Sequence, residues 1–326
     1  MIPNFSYIRA LSLEEAIRFL SEDDSRIYAG GTDLVGCLRD GVFSASTVVS
    51  ISRLKELKGI RTTPSGGLRI GALTTIAEIA RNPIIKTSYP ALSMAASEVA
   101  SPQLRHQGTI GGNLCQKPRC WYYRGEFYCL RKGGVHCYAV DGENTYHCIF
   151  GGENCYIVHP SDTAPALIAL RASVTIAGPA GNRVVALEDF FISPSQDYTR
   201  ETVLERSEIV KEIILPPPEK GLRSSYRKIR ARRSWDFALA GTAMAIVFKN
   251  GQVSDARIVL SGGAPIPLRS RVVETIINGR RLDQKTATEA ADALLETADP
   301  MGQNEYKIPL FRGLLIKELL SLGGYP

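Results

Sequence analysis

The chain has 326 residues, 44% of them apolar and 22% charged, with a formal net charge of +6. That length predicts two or three subdomains, and that balance excludes a disordered chain. The basic excess is spread along the sequence instead of gathered into an arm, which argues against a nucleic-acid partner. The one dense cluster, Arg227 to Arg233 (RKIRARR), is read equally as a phosphate contact or as a solvated strand edge or protein-docking face.

The N-terminal residues carry no basic stretch followed by an apolar core and a small-residue cleavage site. No apolar run reaches the roughly 18 to 20 residues of a membrane span; Ala238 to Phe248 comes nearest. The expectation is a cytoplasmic protein without a membrane span. A reducing compartment makes a disulfide framework the wrong reading of seven cysteines. Six of them, Cys115, Cys120, Cys129, Cys137, Cys148 and Cys155, crowd into one segment, while Cys37 stands alone.

In chain order, Ser12 and Glu15 have capping-box spacing and predict a helix with Ala16, Ile17 and Leu20 on its apolar face. A strand over Arg26 to Ala29 should run straight into Gly30-Gly31-Thr32-Asp33, and further strands are expected at Thr47 to Ile51 and Leu68 to Ala72. Thr75 with Glu78 repeats the capping-box spacing, and Pro90 begins another helix that must end before Pro102. From Cys115 to Cys155 periodicity fails, with Gly125, Gly133, Gly134, Gly142, Gly151 and Gly152 breaking the pattern. A stretch of that length needs something to order it, and a metal centre would do so.

Regular structure then resumes with a strand over Tyr156 to Val158 and a helix from Ser161 or Asp162 to Leu170. Strands are expected at Ser173 to Ala177 and Ile209 to Leu215. Pro216-Pro217-Pro218 is a stiff linker and the main boundary. Beyond it, Asn250-Gly251 joins two apolar runs as a hairpin, and helical patterns cover Arg271 to Ile277, Lys285 to Ala298 and Leu310 to Leu320. A sheet followed by helices makes the class α+β.

Two glycine-rich turns stand out, Ala29-Gly-Gly-Thr-Asp-Leu34 and Thr109-Ile-Gly-Gly-Asn113. Paired glycines admit a ligand close to the backbone, and successive amides beside a Thr hydroxyl can cradle phosphate. Neither matches G-x-G-x-x-G or a P-loop. Taken in order with His159-Pro-Ser-Asp162, Ala164-Pro-Ala-Leu167 and Lys211-Glu-Ile-Ile-Leu-Pro-Pro217, these segments resemble the FAD-binding subunit of the xanthine dehydrogenase family of molybdenum hydroxylases.

The resemblance implies a two-lobed FAD-binding domain of the PCMH type over 1–218, with lobes 1–57 and 58–218 and a cysteine-rich insertion at about 115–155. A carbon monoxide dehydrogenase flavoprotein-like α+β domain over 222–326 should follow. Position by position, it implies that Gly30, Gly31, Thr32 and Asp33 wrap the FAD pyrophosphate with Ala29 and Leu34 flanking. Thr109, Gly112 and Asn113 form the second turn, Asp162 serves the ribityl or ribose hydroxyls, and Ile209 or Val210 gives an apolar contact. Lys228 is implied near the flavin ring, with a solvated strand lysine as its alternative.

Cys120, Cys129, Cys137 and Cys155 form C-x8-C-x7-C-x17-C, without the C-x2-C knuckle usual for zinc. Widely spaced thiolates can hold a [4Fe–4S] cluster, which itself organises the loop. The pattern resembles an insertion in the flavin subunits of 4-hydroxybenzoyl-CoA reductase and of some molybdenum aldehyde oxidoreductases, and leans toward the reductase. Cys115, on the flavin turn, and Cys148 compete for the ligand places. With no nucleophile–base pair, carboxylate pair or molybdopterin motif in this chain, no catalytic residue is assigned here, and the substrate site is expected on another subunit. The resemblance implies a heterotrimer, single or doubled, with a large molybdenum-cofactor subunit, a small subunit with two [2Fe–2S] clusters, and an external electron donor or acceptor. The rival class is a zinc-stabilised binding module.

Overall fold

The computed structural model describes residues 2–325 and contains three sheets. Strands β1 (Ser6–Arg9), β2 (Ser25–Tyr28) and β3 (Thr47–Ser50) form a small parallel sheet with β3 central. Helix α1 (Leu13–Leu20) packs on it, started by Ser12, whose hydroxyl accepts from Glu15 N; Leu13, Ala16 and Leu20 turn inward. Glu15 reaches back to Leu11 N and not to Ser12 N, so the box closes one residue early. Helix α2 (Leu34–Arg39) starts directly from the first glycine turn.

The second sheet is antiparallel, in the order β4 (Ile60–Thr62), β5 (Leu68–Gly71), β8 (Ile209–Leu215), β6 (Ser173–Gly178), β7 (Gly181–Ala186). One face is covered by helices α3 (Ile76–Arg81), α4 (Pro83–Ser88), α5 (Pro90–Glu98), α7 (Ile110–Leu114) and α9 (Thr163–Ala169), and α6 (Pro102–Gln107), with no buried residue, packs outside them on α3. Thr75 and Glu78 form the expected capping box, and three of these helices begin on proline, whose missing N–H costs nothing at that position. Between α7 and α9 the backbone is largely irregular, broken only by α8 (Trp121–Arg124) and a single 3-10 turn. The short helix α10 (Pro194–Asp197) precedes β8.

The third sheet holds β9 (Leu222–Ile229), β10 (Ala240–Lys249), β11 (Gln252–Ser261) and β12 (Leu268–Arg269). Both of its faces are buried. Ala243 and Ala245 join the core beneath α5 and α9, while Met244 and Ile246 point the other way, into the core made with α11 (Arg271–Ile277), α12 (Gln284–Leu295) and α13 (Lys307–Gly323). Burial on both sides explains why β10 is a continuous apolar run. The hairpin turn sits at Asn250 and Gly251, both at positive φ, 54° and 76°.

One expected strand is absent: Tyr156 to Val158 is not paired into any sheet. Its neighbourhood is held by single contacts instead, Cys148 N to Tyr156 O at 3.1 Å and His159 N to Ala264 O at 3.0 Å. Packing across the insertion decides its course, and local apolar character does not reveal that. Among the described residues no helix is long and apolar enough to cross a membrane.

Candidate functional site

The two glycine turns meet face to face. A Cβ at Gly30 would stand 2.1 Å from Gln107 O, so only glycine lets the first turn lie against the loop that leads into the second. Gly31 is left-handed at φ +73°, and its Cβ would strike the Tyr28 ring at 2.5 Å. In the second turn Thr109 caps α7 by accepting from Gly112 N.

Two clefts open on either side of this junction. One, of about 980 Å³, is lined by Ala29, Gly30, Gly31, Thr32, Asp33 and Leu34 with Thr109, Gly112, Ile209 and Val210. The other, of about 1110 Å³, takes in Thr32, Asp33, Thr109, Gly112 and Asn113, then Asp162 and an aromatic loop carrying Trp235 and Phe237. They share Thr32, Asp33, Thr109, Gly112 and Gln116, so the two adjoin as one elongated groove whose waist is the glycine turns, where a pyrophosphate would lie. An elongated dinucleotide with a phosphate-rich middle and an aromatic group at each end fits that shape.

Thirteen sequence-predicted cofactor residues therefore divide as follows. Twelve line the groove; Lys228 lies beneath its far end, where its ammonium is 2.8 Å from Asp162 Oδ2 with no side-chain exposure. The solvated-lysine alternative is thereby overturned. Tyr226 Oη donates to the other Asp162 oxygen at 2.6 Å. Asp33 lines both clefts, yet its carboxylate already accepts from Lys117 N at 2.7 Å, from Arg124 at 2.7 Å and from Arg119. Burial pushes that carboxyl up, and the two guanidiniums more than offset it and hold it below the usual range. Asn113 Oδ1 likewise accepts from Ser161 and Thr163, both at 2.6 Å, which ties the second turn to the start of α9.

Sequence reasoning missed Ala72, Leu73, Gln116, Lys117, Leu204 and Glu208 in the first cleft, and Val99, Leu104, Trp235 and Phe237 in the second. Only the exposed aromatics of Trp235-Asp236-Phe237 carried a local signal. Cys115 lines the first cleft, where burial pushes its thiol up to about 12.

The insertion folds over a separate small cavity whose lining includes Cys120, Cys129, Cys137 and Cys155 together. Cys148 is not among its walls; its sulfur packs against Gly152. The remaining lining is largely Tyr122, Tyr123, Leu130, Tyr138, Tyr156 and Ile157, with Arg131 and His147. His147 Nε2 lies 3.3 Å from Cys120 Sγ. Burial pushes the Cys120 and Cys155 thiols up to about 12 and about 11. Among the described residues no three of His, Cys, Asp and Glu approach closely enough to hold one metal ion. Four thiolates on a single zinc would stand about 3.8 Å apart; a [4Fe–4S] cubane takes one at each of its four iron corners and needs them spread around a space.

The far half of this cavity is clamped by the C-terminal domain. Lys307, fully buried at the start of α13, donates to Tyr146 O, His147 O and Gly262 O at 3.2, 2.9 and 2.8 Å. Asn304 donates to His147 O and Cys148 O, at 3.1 and 3.0 Å.

Residues 3–218 match the family described as the FAD binding domain in molybdopterin dehydrogenase, and residues 224–322 match the CO dehydrogenase flavoprotein C-terminal domain. The aldehyde oxidoreductase FAD-binding subunit of Escherichia coli (strain K12) is 32% identical over 320 residues, covering 97% of both chains. The glyceraldehyde dehydrogenase medium chain of Sulfolobus acidocaldarius is 29% identical over 320 residues, with 97% of each covered. Among solved structures, a carbon monoxide dehydrogenase from Hydrogenophaga pseudoflava lacking the Mo-pyranopterin moiety matches with a TM-score of 0.78 and 27% identity, over 97% of this chain and 96% of that one. The expected α+β architecture, a two-lobed FAD-binding unit followed by a domain of the flavoprotein C-terminal type, is the observed one.

Proposed function

We propose a function from one premise: the chain belongs to the family of FAD-binding medium subunits of molybdenum hydroxylases. It is an FAD-binding oxidoreductase subunit. The further reading is that it also holds a [4Fe–4S] cluster through Cys120, Cys129, Cys137 and Cys155, and serves as the electron-transfer subunit between an external redox partner and a molybdenum site on a large subunit. A small subunit with two [2Fe–2S] clusters completes that assembly, as a heterotrimer or its double. Residues 1–218 and 222–326 are taken as its two domains, the first divided at 57.

The observation that carries the cluster is the shared cavity: four cysteines separated by 8, 7 and 17 residues line one small space, and the nearby Cys148 does not. Aromatic and aliphatic walls would keep water from a centre there, and Arg131 would offset its negative charge. Bound along the groove, FAD would supply two-electron and one-electron chemistry. Ala29 to Leu34, Thr109, Gly112, Asn113, Ile209 and Val210 would bind it, with Asp162 and the buried Lys228 at its ring end.

Between the two substrate directions, oxidation of an aldehyde or heterocycle is favoured over reduction of an aromatic acyl-CoA. The relatives named above are an aldehyde oxidoreductase subunit and a glyceraldehyde dehydrogenase chain, and neither supports the 4-hydroxybenzoyl-CoA reductase type toward which the cysteine spacing leans.

An anaerobic ultraviolet–visible spectrum with iron, zinc and FAD analysis tests this reading, repeated on Cys120→Ser and Cys155→Ser. Four irons per FAD, lost in both variants while FAD stays, is the expected result. Cluster content that survives both substitutions overturns the ligand set, stoichiometric zinc without flavin revives the zinc-module class, and flavin without iron leaves a plain flavin subunit.

A further inference from the structure

We propose that Glu201 is a shared counter-ion that couples the electron occupancy of the cluster cavity to that of the FAD groove; this rests on the cluster reading above. Glu201 lies on neither cofactor's wall, and its carboxylate is almost fully buried, at 11% exposure. One oxygen accepts from Arg131 and the other from Lys117. Arg131 lines the four-cysteine cavity with its side chain 2% exposed, held over the Tyr123 ring at 5.7 Å. Lys117 lines the FAD groove, and its own backbone N–H is anchored on Asp33 of the first glycine turn. A single carboxylate thus divides its charge between a cation facing one centre and a cation facing the other.

The Arg131–Glu201 pair is too buried to be well screened, and Lys117, its side chain 33% exposed, is screened more, so a change at the cavity reaches the groove attenuated but not lost. When negative charge builds up in the cysteine cavity, Arg131 is drawn toward it and leans less on Glu201. Glu201 then neutralises Lys117 more completely, and less positive potential reaches the FAD groove. The same argument runs backwards from the groove, as linkage requires. Glu201 acts through other residues and is a positioning residue, not a catalytic one.

The test is a potentiometric titration of the intact multi-subunit enzyme, following the cluster by electron paramagnetic resonance and the flavin by absorbance. Lys117→Met leaves the buried Arg131–Glu201 pair intact, so the fold is retained. With Lys117 gone, Glu201 turns wholly to Arg131. The cluster's reduced-to-oxidised ratio at the wild-type midpoint is then expected to fall roughly three- to tenfold, tenfold being about 59 mV for one electron. Glu201→Gln, which removes the negative charge, should raise both midpoints. Arg26→Met is the control, since Arg26 lines the same cleft but pairs with Asp24. The coupling is overturned if Lys117→Met moves the flavin and leaves the cluster in place, or if Arg26→Met moves the cluster as far. An enzyme with flavin but no cluster signal removes the cluster reading, and the coupling with it.

Discussion

Lys228 on β9 and Asp162 at the head of α9 form an ion pair of 2.8 Å from which solvent is excluded on both sides. It joins the third sheet to the head of α9, where Asp162 lines the groove proposed for FAD, and Lys228 also reaches Glu98 O at the end of α5, at 3.3 Å. Burial pushes the Asp162 carboxyl up against the pull of Lys228 and of the Tyr226 hydroxyl, so its charge depends on both partners.

Lys228→Met strands that carboxylate. Breaking a buried pair from one side costs about 3–5 kcal/mol. The expected outcome is a lower thermal midpoint and loss of FAD on gel filtration, partly restored in Lys228→Met combined with Asp162→Leu. Equal FAD loss in the single and double variants would show that Asp162 itself holds the cofactor.

Gly30→Ala drives a methyl group into Gln107 O. Overpacking of this kind costs about 1–3 kcal/mol, so FAD retention should fall by roughly tenfold or more while the circular dichroism spectrum is kept. Gly112→Ala, whose Cβ would lie 3.1 Å from Thr109 Oγ1, is expected to be milder. FAD titration of the two apoproteins measures the difference.

Lys307→Met removes a donor from three carbonyls; His147 O keeps Asn304, while Tyr146 O and Gly262 O each cost about 1–3 kcal/mol when left unpaired. Because two of those carbonyls belong to the insertion, the proposed cluster should lose its iron on mild heating before flavin leaves. Simultaneous release of both would show that the clamp supports the whole subunit and not the cavity.

His159 is buried, and its Nδ1 accepts from Ser161 N at 3.3 Å, so the ring stays neutral; burial pushes it down from 6.5 to about 3. Below pH 6.5 the unfolded chain takes up a proton that the folded one refuses. Its stabilising contribution is complete above that pH and is lost on acidification toward pH 3, at about 1.4 kcal/mol per unit. His147, held near 4 by burial and by Lys307, adds a parallel loss. His159→Asn should therefore reduce, without abolishing, the fall in the thermal midpoint of flavin release between pH 6.5 and 5. An unchanged slope would mean that the ring is charged in the folded protein.

The sequence showed what short-range patterns encode. Thr75 and Glu78 announced their helix, Asn250-Gly251 its hairpin, and the paired glycines the waist of the groove. It did not show what depends on distant partners. Asp33 looks like a phosphate-turn residue, yet its oxygens are taken by a backbone N–H and two guanidiniums 84 to 91 positions away. Tyr156 to Val158 has strand composition but no strand to pair with, because the insertion packs against Gly263 and Ala264. For Lys228 the solvated-strand alternative stayed open, since alternation along β9 cannot reveal that Asp162 and the end of α5 close over its ammonium.

The clamp on the cysteine cavity carries a consequence for biosynthesis. Asn304 and Lys307 are translated about 150 residues after Cys155, so a nascent chain still on the ribosome has its four cysteines but not the brace behind Tyr146 and His147. On the proposed cluster reading, iron loading into a finished cavity must await synthesis and folding of that brace, and a chain cut before Asn304 should accumulate flavin but stay iron-poor.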